Sequence, residues 1–192
     1  MRYNINTYSK KRLADTTTPV SIYLRLRDVF TNTILLESSD YHSRENATSY
    51  VCAEPVAGII LKNGELVINY PDGKNEVKTA FNLAEEITAF KEKFKQVLPS
   101  DSKHISSGLF GYFTWNTVQY FEDIKFSSAT PEEDQIPEMQ YHIYRYIIAI
   151  DHFKNEITLF KNTFNDDDSD DLSKMEYIIQ NKNFPEYGFS TN

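Results

Sequence analysis

Short apolar runs rich in β-branched and aromatic residues recur along the first part of the chain and predict strands. They cover residues 34–38, 49–53, 58–61, 66–70 and 76–81. Asn63 and Gly64, between two of these runs, are typical of a tight hairpin turn because both residues tolerate a left-handed backbone. The pattern therefore predicts an antiparallel meander. Residues 1–14 alternate only loosely and predict an added edge strand.

Other segments follow helical spacing. Thr18 and Pro19 are typical of a helix start, since Thr caps a helix and Pro suits its first turn; this helix is expected to reach the region of Phe30. Residues 83–98 place apolar side chains on one face and charged ones on the other, which predicts one amphipathic helix that Pro99 ends. Residues 172–180 predict a last helix.

The second half of the chain adds more strands. Residues 108–115 are aromatic and interrupted by glycine, which predicts a strand where two backbones approach closely, and Asn116 is expected to cap a short helix after it. Residues 139–150 and 156–163 predict a long hairpin. Because strands outnumber helices and hairpin signals recur, we expect an α+β fold, mainly antiparallel sheet with helices packed on one side.

Composition narrows the classes of protein to consider. The 192 residues suit a single domain, and the net charge of -8 without a Lys/Arg-rich patch argues against a nucleic-acid surface. Cys52 is the single cysteine and cannot form an internal disulfide. The sequence has neither a run of roughly 18 apolar residues nor an apolar signal region, so we expect a cytoplasmic protein without a membrane segment. Small molecules and proteins are the expected partners.

Catalytic and metal-binding patterns are weak. The acidic cluster at residues 166–171 lacks the glycine and the final glutamate of a calcium loop, and we interpret it as a solvated loop before a helix. The four histidines are scattered without metal-ligand spacing: His42, His104, His142 and His152. We therefore predict no catalytic residue, no metal site and no cofactor in this chain.

One strand ends in an unusual way. The apolar run at residues 33–36 passes directly into Glu37, Ser38 and Ser39 without a turn residue. In one interpretation the strand simply emerges into solvent. In the other, Glu37 and Ser38 face a pocket and bind a small cationic ligand, which would compensate the carboxylate for its desolvation. The residues alone leave both interpretations open.

Three stretches carry a family resemblance. They are Thr18-Pro19-Val20 with Leu35-Leu36-Glu37-Ser38, then residues 108–112 with 118–123, and finally Ala149-Ile150-Asp151-His152. In this order, over most of residues 18–163, they resemble the N-terminal region of anthranilate synthase component I, within the chorismate-utilising enzymes. The resemblance implies that residues 1–192 are a single N-terminal domain with that half of the family fold. It also implies that the chorismate-binding catalytic domain lies C-terminal to this chain and is absent from it.

The resemblance also implies an activity for the full-length enzyme. That enzyme would convert chorismate and ammonia to anthranilate and pyruvate in tryptophan biosynthesis, using magnesium and a glutamine amidotransferase subunit (component II) that delivers the ammonia. This chain alone would be inactive. Tryptophan would act as feedback inhibitor by contacting Leu36, Glu37 and Ser38, with Glu37 pairing its amino group and Pro19 as a weaker candidate. Given the resemblance, we prefer the ligand-binding interpretation of Glu37.

Two departures from the family pattern qualify these implications. Thr48 stands where some relatives place a basic residue, and Trp115-Asn116 replaces the usual Tyr-Asp. Two other functions stay open: the equivalent domain of 4-amino-4-deoxychorismate synthase component I, and a free-standing small-molecule-binding module. We also expect the sheet to expose an apolar face that the catalytic domain normally covers, so the isolated chain is predicted to form a homo-oligomer.

Overall fold

The computed structural model describes residues 2–15, 17–38, 47–98, 103–124, 136–164 and 171–180. These residues form nine strands, three α-helices and one 3-10 helix. The strands are β1 (Tyr3–Leu13), β2 (Ile34–Leu36), β3 (Thr48–Lys62), β4 (Glu65–Asn69), β5 (Asn75–Lys78), β6 (Phe94–Leu98), β7 (Phe110–Phe113), β8 (Met139–Asp151) and β9 (Glu156–Thr163). The helices are α1 (Pro19–Arg27), α2 (Leu83–Glu92), α3 (Ser173–Gln180) and the 3-10 helix (Trp115–Tyr120).

All nine strands join one sheet in the order β5-β4-β3-β8-β9-β1-β6, with β2 added to β3 and β7 added to β8. Every pairing is antiparallel except that of β1 with β6. The predicted α+β class with a mainly antiparallel sheet is therefore confirmed. The predicted hairpin turn is confirmed too, since Asn63 and Gly64 have φ angles of 53° and 74°.

Strand β8 organises the sheet. One of its edges pairs with β3 from Met139 to Asp151. Its other edge pairs first with β7, up to His142, and then with β9, from Tyr146 onward. The sheet consequently divides beside residues 143–145, between the β7 branch and the β9-β1-β6 branch.

Two separate strands were predicted where the structure has the single fifteen-residue strand β3, and that prediction is wrong. Pro55 lies between the two predicted runs and interrupts the apolar pattern. The strand continues because its register shifts at a bulge between Pro55 and Ala57, and a bulge accommodates a residue without a ladder donor. Glu54, with φ of 60°, turns the backbone just before the bulge.

The long amphipathic helix predicted for residues 83–98 is also wrong in its second half. Helix α2 ends at Glu92, and the following residues form β6. The amide of Tyr3 donates to the carbonyl of Lys93 at 2.7 Å, and β6 then pairs with β1. Because β6 lies outside it, β1 is an inner strand between β9 and β6, and the prediction of an edge strand at the N-terminus is wrong.

The helix ends follow local chemistry with one exception. Thr18 accepts a hydrogen bond from the Ser21 amide and Pro19 occupies the first turn of α1, as predicted. The helix α3 lies at residues where a last helix was predicted. Asn116 does not cap a helix: the 3-10 helix already begins at Trp115, after Thr114. Thr117 holds this helix by donating its hydroxyl to the carbonyl of Glu138 at 2.6 Å.

Apolar side chains form separate core clusters on the two parts of the sheet. Helices α1 and α3 pack on β3, β8 and β9 through residues such as Ile22, Tyr146 and Met175. Helix α2 packs on β1, β3, β4 and β8 in another cluster that includes Phe90 and Ile143. Within the described ranges, no helix combines the length and the apolar composition that a membrane crossing requires.

Glycine permits the close approach predicted for the aromatic strand. A Cβ added to Gly111 would lie 1.8 Å from the carbonyl oxygen of Gln140 on β8. On the other side of β8, a Cβ added to Gly58 would lie 2.4 Å from Nδ1 of His142. The two glycines therefore let β7 and β3 lie tightly against the first half of β8.

Candidate functional site

The segment predicted to bind tryptophan lies at the end of β2. This strand pairs with β3 over three positions, placing Ile34 opposite Cys52, Leu35 opposite Val51 and Leu36 opposite Tyr50. The turn before β2 is tied to the core, because the hydroxyl of Tyr144 donates to the carbonyl of Asn32 at 3.0 Å. The core thereby determines where residues 36–38 leave the sheet.

The predicted ligand residues differ in their accessibility. Leu36 is 38% exposed, and Glu37 and Ser38 are exposed beyond the last pairing of the strand. Pro19 is buried in the first turn of α1, so its ring is not presented to solvent. The structure thus brings Leu36, Glu37 and Ser38 together on one accessible segment and places Pro19 inside. Because Glu37 is exposed, its carboxylate bears little desolvation cost and needs no buried partner.

Two neighbours of this segment were not identified from the sequence. Tyr50, opposite Leu36, is half-buried, and its hydroxyl accepts a hydrogen bond from the amide of Ile105 at 3.2 Å. Its ring also packs against Phe110 with centroids 5.9 Å apart. Ile105 is 54% exposed. Leu36, Tyr50 and Ile105 therefore present a partly apolar surface beside Glu37. Nothing in the local pattern links residue 105 to residue 36, since the connection runs through Tyr50 across the sheet.

The positions that depart from the family pattern lie on β3 and on the 3-10 helix, and Thr48 stands only two residues before Tyr50, the partner of Leu36. Thr48 begins β3, is half-buried and stands opposite Asp151 of β8. Trp115 is 83% exposed at the start of the 3-10 helix. The tryptophan side chain is consequently part of the surface and not of the core.

A buried carboxylate closes the β8–β9 turn. Asp151 is 1% exposed, and its Oδ1 accepts hydrogen bonds from the amides of Phe153 at 3.1 Å and Lys154 at 3.0 Å. Its Oδ2 lies 3.0 Å from the ammonium of Lys103. Burial by itself would raise the pKa of Asp151, but the two amides and Lys103 stabilise the charged form, and the pKa is lowered overall.

His104 packs beside this carboxylate, with its Nε2 3.9 Å from Oδ2 of Asp151. Burial lowers the pKa of His104, and the charges of Lys103, Lys11 and Lys154 lower it further, while Asp151 opposes them. Asp151 therefore serves to anchor residues 103 and 104 on the sheet and to hold the turn.

A serine and a histidine also meet near this turn. The Oγ of Ser49 lies 2.7 Å from Nε2 of His152. Ser49 is fully buried, so a substrate cannot reach its hydroxyl, and we interpret the contact as structural. Among the described residues, no three His, Cys, Asp or Glu side chains come close enough to hold a metal ion. These residues therefore offer no set that fits the magnesium implied for the full-length enzyme. The acidic cluster at residues 166–170 lies outside the described residues.

Comparison with known proteins relates most of this chain to one family. A family model described as chorismate binding enzyme matches residues 32–188. Anthranilate synthase component 1 of Acinetobacter calcoaceticus is 27% identical over 162 residues, which cover 82% of this chain and 32% of that protein. The proteins of the same name from Lactococcus lactis and Thermus thermophilus are 29% and 28% identical, and each match covers 81% of this chain and 32% of the relative.

A solved structure is similar as well. The crystal structure of anthranilate synthase component I from Streptococcus pneumoniae TIGR4 aligns with a TM-score of 0.47 and 20% identity, over 88% of this chain and 35% of that chain. The chain spans about a third of the length of the curated relatives it matches. The family model, by contrast, matches well over half of the chain itself. The chain therefore belongs to the chorismate-binding enzyme family, as a partial domain related to anthranilate synthase component I.

Proposed function

We propose that this chain is the N-terminal regulatory and scaffold domain of an anthranilate synthase component I. In the complete enzyme, a catalytic domain C-terminal to this chain would convert chorismate, with ammonia from a glutamine amidotransferase subunit, to anthranilate and pyruvate. The observation that carries the proposal is the exposed Leu36-Glu37-Ser38 segment at the end of β2, in a chain whose relatives named above are all anthranilate synthase components. The assignment to the N-terminal part rests on the resemblance of this segment.

Regulation by tryptophan is the finer part of the proposal. The carboxylate of Glu37 would accept a charge-assisted hydrogen bond from the ammonium of the amino acid, and Ser38 would add a polar contact. Leu36 and its neighbour Tyr50 would contact the apolar side chain. Because this segment is exposed on the chain alone, we expect the catalytic domain to supply the other half of the pocket. Tryptophan would then regulate by binding one arrangement of the two domains more tightly than the other.

Calorimetry tests the shared pocket. Tryptophan titrated into this chain alone is expected to give weak or undetectable binding, and chorismate is expected to remain unchanged. In a polypeptide that joins this chain to the catalytic domain, tryptophan should bind and Glu37→Gln should abolish most of that binding. Glu85→Gln, an exposed change on α2, is the matched control. Micromolar affinity of tryptophan for the isolated chain would contradict the shared pocket.

An exposed aromatic patch supports the scaffold role. We define the aromatic patch as Phe113, Trp115 and Phe121, which are 45%, 83% and 46% exposed. Phe113 and Phe121 are in edge-to-face contact with centroids 5.9 Å apart, and Trp115 lines the same surface depression as both of them. Exposed aromatic clusters of this kind mark interfaces, and aromatic side chains contribute strongly to association. We propose that the catalytic domain covers this patch in the complete enzyme.

Light scattering tests the patch. The isolated chain is expected to self-associate as its concentration rises, and Trp115→Ser should reduce this association without affecting folding, because Trp115 is largely exposed. Val77→Ser, an exposed change on β5, is the control and should leave the association unchanged. A strict monomer at high concentration would contradict self-association through the patch.

A further inference from the structure

A cavity of about 400 Å³ lies where the sheet divides beside β8. Its lining is mainly apolar but includes three polar side chains, those of Lys91, Gln96 and Ser107. The other lining residues are Ile5, Phe94, Gly108, Leu109 and Ile143. Small-molecule sites in proteins have this size and this mixture of an apolar lining with a few polar groups. None of Leu36, Glu37 and Ser38 lines the cavity, so it is separate from the segment proposed to bind tryptophan.

The cavity exists because β6 departs from the helical pattern of its sequence. Phe94 and Gln96 both line it, and two residues that are two positions apart share one side of a strand but not one face of a helix. The strand is imposed by pairing with β1 and by the stacking of Phe94 on Tyr3, with ring centroids 5.3 Å apart. Places where tertiary structure overrides local preference are often functional sites.

Hydrogen bonds hold the polar wall of the cavity in place. The Nε2 of Gln96 donates to Oγ1 of Thr7 at 2.8 Å and to Oγ of Ser106 at 3.0 Å. Both amide hydrogens of Gln96 are thereby used, which leaves its Oε1 as an acceptor for a ligand. The carbonyl of Ser106 accepts from Nδ2 of the fully buried Asn162 at 3.0 Å. The wall is consequently positioned before any ligand arrives, which reduces the entropy cost of binding.

The rim of the cavity carries a cation. Lys91, in the last turn of α2, is exposed, and it makes no ion pair with any other described residue. An ammonium beside an apolar cavity favours an anionic group on a ligand whose body is apolar. We propose that this cavity binds a small carboxylate with an aromatic or branched aliphatic body. The body would occupy the apolar lining, the carboxylate would pair with Lys91, and a donor on the ligand could bond Oε1 of Gln96.

Three probes that differ only in their polar group test this proposal. They are 3-phenylpropanoate, 3-phenylpropan-1-ol and 3-phenylpropylamine, titrated into the chain while methyl resonances of Ile5, Leu109 and Ile143 are followed by NMR. We expect the carboxylate to bind with a dissociation constant of about 1 mM, the alcohol about fivefold more weakly and the amine weakest. The methyl groups of the cavity should show the largest shifts.

Variants identify the cavity as the site. Lys91→Gln should weaken binding of the carboxylate about fivefold and leave binding of the alcohol unchanged. Lys95→Gln, an exposed change on the neighbouring β6 outside the lining, is the control and should have no effect. Leu109→Trp should abolish binding by filling the cavity. If Leu109→Trp does not fold, the surface variant Lys91→Gln still tests whether the ligand binds at this cavity.

Other outcomes would overturn the proposal. The proposal is wrong if all three probes bind equally well, or if the shifts are confined to residues outside the cavity. It is also wrong if no saturable shift appears at a probe concentration about ten times the expected dissociation constant. Glu37→Gln should leave binding of 3-phenylpropanoate unchanged, because Glu37 is not in the lining. Failure of this proposal would therefore not affect the proposed tryptophan segment, and the reverse also holds.

Discussion

Strands β8 and β2 both pair with β3, but they occupy contrasting parts of the molecule. Strand β8 is paired along both edges, and Gly58 and Gly111 let its neighbours approach so closely that a Cβ would collide with it. Strand β2 has three paired positions and then emerges as the exposed Glu37 and Ser38. The residues around β8 are held by packing on both edges, whereas Glu37 and Ser38 carry few structural contacts, and their proposed role is to bind a ligand. Substitutions should therefore change stability around β8 and ligand binding at the end of β2.

The largest effect is expected at Gly111. Gly111→Ala would place a methyl group 1.8 Å from the carbonyl oxygen of Gln140, and backbone atoms on both strands would have to move. We expect a loss of about 4 kcal/mol in the free energy of unfolding, measured by urea denaturation. Gly64→Asn is the control: the site has open space, and Asn tolerates its φ of 74°. Equal stability of Gly111→Ala and the parent chain would show that β7 does not lie against β8 as described.

The second effect concerns the buried amide that links β9 to the wall of the cavity. Asn162 donates to the carbonyls of Ser106 and Tyr144 and accepts from the hydroxyl of Thr7. Asn162→Leu keeps the size of the side chain but leaves these buried groups without partners. We expect a loss of about 3 kcal/mol in unfolding free energy. Asn116→Ala, on the exposed face of the 3-10 helix, is the control and should change the free energy of unfolding by less than about 0.5 kcal/mol. An equally small change for Asn162→Leu would contradict the hydrogen bonds of Asn162 described above.

A smaller effect should follow pH. Burial lowers the pKa of both His142 and His104 below the ordinary value of 6.5. At pH values between 6.5 and these lowered pKa values, the unfolded chain binds protons that the folded chain does not. The free energy of unfolding is therefore highest above about pH 7 and falls as the pH decreases. The lowered pKa of Asp151 acts separately, below its ordinary value of 3.8.

Two measurements check this pH dependence. Urea denaturation at several pH values should show stability decreasing from about pH 7 towards about pH 5, and His104→Gln should remove part of the decrease. NMR titration should place the midpoints of both imidazoles below 6.5. Midpoints at or above that value would contradict the burial of these rings.

The smallest effect on stability is expected at the end of β2. Glu37 is exposed beyond the last pairing, so Glu37→Gln should change the free energy of unfolding by less than about 0.5 kcal/mol. The same substitution is expected to abolish most of the tryptophan binding in the polypeptide that includes the catalytic domain. A large loss of stability would instead assign Glu37 a structural role. The end of β2 would then contribute to folding as the residues around β8 do.

Features governed by neighbours in the chain were predictable. The cap at Thr18, the turn at Asn63-Gly64 and the β8–β9 hairpin depend on local backbone preferences and on strand alternation, and the structure confirms all three. The close approach at Gly111 was also predictable, because a glycine inside a strand often marks the place where another backbone lies close to it. Glu37 and Ser38 were chosen as candidate ligand residues from their residue types and the family resemblance, and their ligand role stays a prediction.

Features that depend on distant partners were not predictable. Residues 94–98 have helical spacing but form β6, because pairing with β1 and stacking on Tyr3 outweigh a weak local preference. The same pairing makes β1 an inner strand. The cavity beside Ile143 was likewise invisible, since its lining comes from segments that lie far apart in the chain.

The sequence by itself determined the class of the fold, most of its turns and caps, and the family to which its motifs belong, because these depend on residues close together in the chain. The tertiary structure alone decided which strands are inner, where helix α2 gives way to β6, and that a cavity opens where the sheet divides. The physical reason is that long-range strand pairing and burial together contribute more free energy than the local conformational preference of any short segment.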